Sequence, residues 1–416
     1  MTEQQVLIPH LFRQEYSKIV SVLCRRFGFE QMEIAEDIAS DTFLIAAQSW
    51  GLNGLPPNPV AWLYHVAKNK AKNHLQRNIV FEGKVAVQIK DDLSQIVETD
   101  INLSPQNISD SQLQMMFAIC QPSIPPGARV ALSLRILCGF SIDEIAEAFL
   151  TGKATINKRL YRAKEKLRAE NVKIEFPGPA EINNRLENVL TTIYLLFSEG
   201  YYSVSQDKTL RTELCFEAMR LCQMLTENKT TNIPQVNALL ALMYFHASRF
   251  EARFNKNGEL VLYDEQDTRL WNKELITKGA YYLNYSTGGD ILTKYHIEAT
   301  IAFWNTQKAD TKEKWENILQ LYNRLLQMEY SPVAALNRTY ALAKAHGKQE
   351  AIIEAEKLKL VNDHFYFVLL GELYIGIDNQ KATRHFQNAL SLAKTQNDRQ
   401  TIQKKITGLN QKSANN

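Results

Sequence analysis

GFSIDEIAEAFLTGKATINKRLYRAKEKL, residues 139–167, reads as two helices and the turn between them. Ser141 stands three residues before Glu144, the spacing of a capping box, and Ile142, Ile145, Ala146 and Phe149 supply the apolar face of a short first helix. Leu150 to Lys153 make a tight turn. Thr155 opens a second helix whose Ile156, Leu160, Ala163 and Leu167 form one apolar stripe. Lys158, Tyr161 and Arg162 must point the other way, with Asn157 and Arg159 on the flanks. A short helix, a four-residue turn and a basic second helix describe a helix-turn-helix, whose second helix lies in the major groove of DNA. Lys153, Lys158, Arg159, Arg162, Lys164, Lys166 and Arg168 against Glu165 alone give that helix the charge that phosphates attract.

Working outward, apolar spacings of three and four recur almost everywhere and strand-like alternation is nearly absent, so the expected fold is all-α. One short hairpin is expected, with its turn at Asn257-Gly258. Proline and glycine cluster at residues 51–59, 121–127 and 176–180, each a break between helical units. Residues 79–110 carry Glu82, Asp91, Asp92, Glu98, Asp100 and Asp110 against only Lys84 and Lys90, the composition of a flexible acidic linker. The expected divisions are therefore 1–78, 79–110, 111–175 and 176–416.

In the first division NPVAWLYHVAKNKAKNHLQRN, residues 58–78, lines Leu63, Ala67, Ala71 and Leu75 along one face. Trp62, Tyr64, His65, Lys68, Asn69, Lys72 and Asn73 occupy the others, and aromatics with amides and cations suit single-stranded DNA. Trp62 and Tyr64 are equally readable as core anchors. Before it, QMEIAEDIASDTFLIAAQSW, residues 31–50, turns Ile34, Ile38 and Ile45 inward and sets Glu33, Asp37 and Asp41 in one acidic row. Like charges four residues apart destabilise a helix by a few tenths of a kcal/mol per pair, so a basic partner or plain solvation must accommodate them.

In the last division Leu336-Asn337 and Tyr340 recur as Leu370-Gly371 and Tyr374, and Ala355 recurs as Ala389, all 34 residues apart. With Ala382 and Phe386 these positions resemble the tetratricopeptide helix-pair pattern, in which small residues let two helices pack closely. An irregular helical bundle is the alternative. Histidines 246, 296, 346, 364 and 385 lack metal-ligand spacing, and Ser203, Ser286 and Ser331 lack a nucleophile setting. No enzyme and no cofactor are expected. The polar cluster from Tyr263 to Trp271 reads either as a ligand site or as a salt-bridged surface.

The chain has 416 residues, 45% hydrophobic and 22% charged, with five cysteines and a net charge of only +3. These values exclude disorder, collagen and disulfide-scaffold classes, and the cysteines read as buried thiols of a reducing cytoplasm. No run is long and apolar enough to span a membrane, and no signal peptide is expected.

The order of acidic-ridged helix, Trp-opened basic helix, acidic linker and helix-turn-helix closely resembles the extracytoplasmic-function (ECF) group of sigma-70 family transcription initiation factors, over about residues 7–172. AEDIASDTF resembles that family's region two helix, which implies that Glu33, Asp37, Asp41 and Phe43 meet the β′ clamp helices of core RNA polymerase. NPVAWLYHVAKNKAKNHL resembles the part that opens and reads the minus-ten element, which implies that role for the seven residues from Trp62 to Asn73 named above. GARVALSLRILCGFSIDEIAEAFLTGKATINKRLYRAKEKLR resembles region four, which implies minus-thirty-five contacts by Lys153, Thr155, Asn157, Lys158, Arg159, Tyr161 and Arg162 and a contact with the β flap. The turn, LTGKAT, departs from the Gly-x-x-x-Gly-Thr-like form common in that family. The long continuation resembles the subgroup with a C-terminal tetratricopeptide-like domain, implying a regulatory part that takes a peptide or regulatory protein. A conventional helix-turn-helix regulator and a solenoid scaffold or ligand sensor are the rival readings.

Overall fold

The computed structural model of the protein describes residues 3–81, 101–201, 208–253, 261 and 263–414. All regular structure among them is helical, as the spacing of apolar residues requires. The Asn257-Gly258 turn lies outside the described residues. Its flanks are joined by one backbone bond, Val261 N–H to the Arg253 carbonyl, at 2.8 Å. Two compact units divide the chain, Met1–Thr231 and Asn232–Asn416.

The first unit begins with α1 (Glu3–Phe27), α2 (Met32–Asn53) and α3 (Pro59–Phe81). α1 packs on α2, and α2 on α3. Tyr16, Ile19, Val20, Leu23, Ala35, Ala46, Trp50, Leu63, Ala67 and Ala71 fill the space between them. Most of the expected acidic linker lies outside the described residues, but its last part does not remain a tether. Ser104 caps α4 (Pro105–Ile119) by accepting from the Asn107 N–H, and Pro105 at the first helical position loses nothing by lacking its own N–H.

α5 (Pro126–Leu132) runs into a π-helical turn, Ser133–Leu137, and then come α6 (Ile142–Ala148) and α7 (Lys153–Ala169). Gly139 follows the π turn at φ +71°, where a side chain would be strained, and its Cα faces the Arg13 carbonyl and Tyr16. The unit continues through α8 (Ile182–Tyr201) and α9 (Lys208–Glu227).

The division expected at 175/176 therefore falls inside this unit. α8 and α9 pack on each other and against α4, α5 and α6. Asn188 accepts from Arg129 at 2.6 Å, Arg185 donates to the Phe117 carbonyl at 2.8 Å, and Arg220 donates to the Leu137 carbonyl at 2.8 Å. Phe176, inside the proline-rich break, lies edge-on to Phe117. Prolines here shape a packed corner rather than a free linker.

The second unit is a succession of helices in which each packs on the next: α10 (Pro234–Ala247), α11 (Lys273–Tyr285), α12 (Lys294–Trp304), α13 (Lys312–Met328), α14 (Pro332–His346), α15 (Lys348–Leu358), α16 (His364–Tyr374), α17 (Asn379–Leu392) and α18 (Gln396–Ala414). Asn272, Thr311, Asp363 and Asp378 cap four of them by accepting backbone N–H bonds. Of the repeat-bearing residues, Leu336, Ala355, Leu370, Gly371, Tyr374, Ala382, Phe386 and Ala389 are buried, whereas Tyr340 is half-buried and Asn337 is exposed.

Close approach of α16 and α17 depends on Gly371, because a Cβ there would lie 2.7 Å from the ring of Phe386. Gly371→Ala should cost the second unit about 1–3 kcal/mol through forced repacking, despite alanine's better helix propensity. Urea denaturation monitored on this unit checks it; an unchanged midpoint would mean that α17 shifts freely.

Candidate nucleic-acid interface

The helix-turn-helix forms as its sequence dictates. Ser141 Oγ accepts from the Glu144 N–H at 3.2 Å and the Glu144 carboxylate accepts from the Ser141 N–H at 2.8 Å. Leu150 turns the chain at φ +48°, a left-handed conformation in which residues other than glycine are uncommon. α7 then buries Ile156, Leu160, Ala163 and Leu167, the four residues of the expected stripe.

Its opposite face is open. Thr155, Asn157, Lys158, Tyr161 and Arg162 are exposed, Tyr161 to 65%. Lys158 and Arg162 form no ion pair among the described residues, so both cations are available to an anion. Lys153 is engaged by Asp143 on α6. Arg159 is half-buried, its guanidinium 5.0 Å above the Phe149 ring. Burial raises the Glu199 pKa on α8, and the charge of Arg159 partly offsets that rise. Arg159 thus belongs to the flank of this face.

Lys164 and Arg168 point elsewhere. Lys164 Nζ lies 2.6 Å from Glu36, both side chains only 13% exposed, and Arg168 pairs with Glu33 while donating to the Phe29 carbonyl at 2.9 Å. Their cations are spent inside the protein, so the basic face is narrower than the charge count of α7 suggested.

On α2, Glu33, Asp37 and Asp41 are exposed and share one side of the helix. Asp41 holds Lys70 of α3 at 2.8 Å. The Glu33 pKa is lowered: burial opposes this, while the bonds from Arg168 and its own backbone, with the charge of Lys164, outweigh it. Phe43 corrects an expectation. It is 5% exposed and edge-on to Phe12, so it anchors α1 to α2 and presents no surface to a partner.

α3 divides in the same manner. His65, Lys68, Asn69 and Asn73 are exposed, with His65 and Asn69 bonded at 2.9 Å, and Lys72 is half-buried. Trp62 is half-buried with its ring edge-on to Trp50 at 5.4 Å. Tyr64 is half-buried and donates its hydroxyl to Glu15; burial first, and then that carboxylate, push its pKa well up. Both aromatics are in part anchors, the alternative left open by their sequence.

The polar cluster of the second unit is knit to itself. Lys314 donates to the Tyr263 hydroxyl at 2.8 Å and to the Gln307 carbonyl at 3.0 Å, and burial lowers its pKa. Lys344 spans Asp310 at 3.1 Å and Asp264 at 3.5 Å. No group of residues able to hold a metal ion occurs among the described residues, and no described helix is long and apolar enough to cross a membrane. All five cysteines are buried.

Comparison with known proteins matches residues 11–78 to sigma-70 region 2 and residues 122–167 to sigma-70 region 4. The chain belongs to the sigma-70 family. A third match, over residues 185–287, is to a family of unknown function (DUF6596). Among similar proteins, the uncharacterized protein R00370 of Rhizobium meliloti (strain 1021) is 31% identical over 88% of this chain and 87% of its own. The RNA polymerase sigma-H factor of Pseudomonas aeruginosa is 27% identical over 36% of this chain and 79% of its own. The ECF RNA polymerase sigma-E factor of Escherichia coli (strain K12) is 32% identical over 25% of this chain and 56% of its own. No solved structure matches the chain. The region 4 match ends on Leu167 of α7, and the third match starts on Arg185, inside α8. Sequence reasoning missed Arg13, Glu36 and Arg135, whose partners stand more than 90 residues away along the chain.

Proposed function

We propose that this sigma-70 family protein is a promoter-specificity factor of the ECF group, which binds core RNA polymerase, opens DNA at the minus-ten element and reads the minus-thirty-five element with α7. The observation that carries this reading is the open face of α7. Asn157, Lys158, Tyr161 and Arg162 stand exposed on a helix whose other side is sealed into the domain, the geometry by which a recognition helix meets base edges and phosphates. Exposed His65, Lys68, Asn69 and Asn73 on α3 are the proposed contacts to the melted strand, and the carboxylates of α2 the contacts to the β′ clamp helices. The second unit is proposed as a tetratricopeptide-like regulatory module that takes a peptide or a protein; the close packing of Gly371 on Phe386 supports it.

Run-off transcription tests this reading. Product should require the protein together with bare core polymerase. Lys158→Ala and Arg162→Ala should separate: a lost base contact costs about 1–3 kcal/mol at one promoter position, whereas a lost phosphate contact weakens all promoters and lowers the salt slope by about one. Product from core polymerase alone, or variants with unchanged promoter affinity across a salt series, would remove the assignment.

A further inference from the structure

The polar cluster of the second unit is satisfied on one side only. Lys314 donates to the Tyr263 hydroxyl, and that hydroxyl donates onward to the Asn305 carbonyl at 3.1 Å. Asp264 is taken by Tyr340 at 2.7 Å and by Lys344, and Asp310 by Lys344 and the Trp315 indole. On the other side, Arg249 Nε, Trp271 Nε1 and the Gln266 amide oxygen are buried without a hydrogen-bond partner among the described residues. Trp271 as a whole is only 8% exposed. The fold gathers all three around Tyr263. Asn272 donates to the Ser248 carbonyl at 2.8 Å, which brings Trp271 beside the end of α10, where Arg249 follows. The Trp271 ring stacks on that of Tyr263 at 6.4 Å, the Arg249 guanidinium lies 5.2 Å above the same ring, and the Gln266 N–H donates to the Tyr263 carbonyl at 3.3 Å.

Charge points the same way. Neither Arg249 nor Lys314 has a carboxylate within ion-pair distance among the described residues. Lys314 is buried, 5.2 Å from the centre of the Tyr263 ring, and stands in the first turn of α13, the positive end of the helix dipole. Burial lowers its pKa; the charges of Asp310 and Asp264 oppose this, and those of Lys344 and Arg249 add to it. A buried cation without a counter-ion and a buried N–H without an acceptor both carry a large desolvation cost, and groups so perturbed cluster at functional sites.

We propose that Arg249, Gln266, Trp271 and Lys314 form a binding site for a small carboxylic acid that carries a neighbouring hydroxyl. The carboxylate accepts from the Arg249 and Trp271 N–H groups, Lys314 supplies its counter-charge, and the hydroxyl donates to the Gln266 amide oxygen. Arginine Nε with a terminal amine makes the planar fork that matches a carboxylate. The faces of Tyr263 and Trp271 suit an aromatic body on the acid. Arg249, Gln266 and Trp271 all fall within residues 185–287, so the site gives part of the segment matched to a family of unknown function a role. The inference does not depend on the promoter reading: it adds a small-molecule input to the second unit.

Ligand-detected NMR titrations of the full chain with mandelate, phenylacetate and inorganic phosphate test it. Wild type should bind one mandelate per chain at millimolar concentration or below, and phenylacetate, which lacks the hydroxyl, roughly threefold or more weakly; phosphate should be weaker still. Trp271→Phe keeps a ring and removes the N–H, and Arg249→Gln removes the fork with its charge. Each should weaken mandelate binding by about tenfold or more. Without ligand, Trp271→Phe should melt at or above the wild-type midpoint, because an apolar group in place of an unpartnered buried donor removes a cost and no contact. Gln266→Glu, of equal size and outside the helices, sets a like charge against the carboxylate and decides the matter if neither other variant folds. No mandelate binding by wild type, or binding that the folded variants leave unchanged, overturns the site. Phenylacetate binding as tight as mandelate overturns the role of Gln266, and phosphate binding tighter than mandelate overturns the carboxylate.

Discussion

Reversing two exposed carboxylates of the ridge, Asp37→Lys with Asp41→Lys, is expected to weaken association with core RNA polymerase more than a hundredfold. Both side chains are exposed on α2. Their burial against a basic partner would make each a desolvated complementary pair, and losing one such pair costs about 2–5 kcal/mol. A hundredfold corresponds to about 2.8 kcal/mol, within reach of one position and exceeded by two. The fold should survive. Asp41 to Lys70 is a surface pair, worth about 0–1 kcal/mol, and Asp37 is exposed on the helix surface. Pull-down and circular dichroism on the same preparations separate the outcomes, and wild-type binding by a folded double variant would end the assignment of α2 to the polymerase.

Local chemistry was legible in the sequence wherever the deciding contacts are local. The capping box at Ser141 and Glu144 and the buried stripe of α7 follow from spacings of three and four residues, and both formed as read. The basic count of α7 misled because it was one-dimensional: it placed Lys164 and Arg168 with Lys158 and Arg162, although Glu36 is 128 residues from its lysine. Phe43 joined the polymerase contacts only through the resemblance of AEDIASDTF, which carries no information on burial; Phe12, which packs on it, is on another helix. FPGPA has the composition of a linker, and composition cannot register that Phe176 packs on Phe117. In each case the missing information was a contact between distant segments, which periodicity does not encode.

Truncation should show how much that missing contact matters. A chain ending at residue 231 is expected to keep the cooperative unfolding of the first unit, because the cut falls between the two compact units. A chain ending at residue 175 is expected to lose on the order of 5 kcal/mol or to fail to fold. It removes the buried Leu186, Val189, Leu190, Ile193, Leu196 and Phe197. Uncovering large apolar side chains costs about 1.5–3 kcal/mol each, so two or three exposed on α4 and α5 approach the whole stability of a typical domain. The cut also strips Asn188 from Arg129, which is 5% exposed, and leaves the Leu137 carbonyl without Arg220. A buried donor or acceptor left without a partner costs a further 1–3 kcal/mol or so. Urea melts of the two truncated chains beside the full chain decide the matter. Equal midpoints would return the boundary to residue 175 and make α8 and α9 part of the second unit. A lower midpoint for the shorter chain alone would mean that any loss of transcription it shows reflects unfolding of region 4, so regulation by the second unit has to be measured with the chain ending at 231.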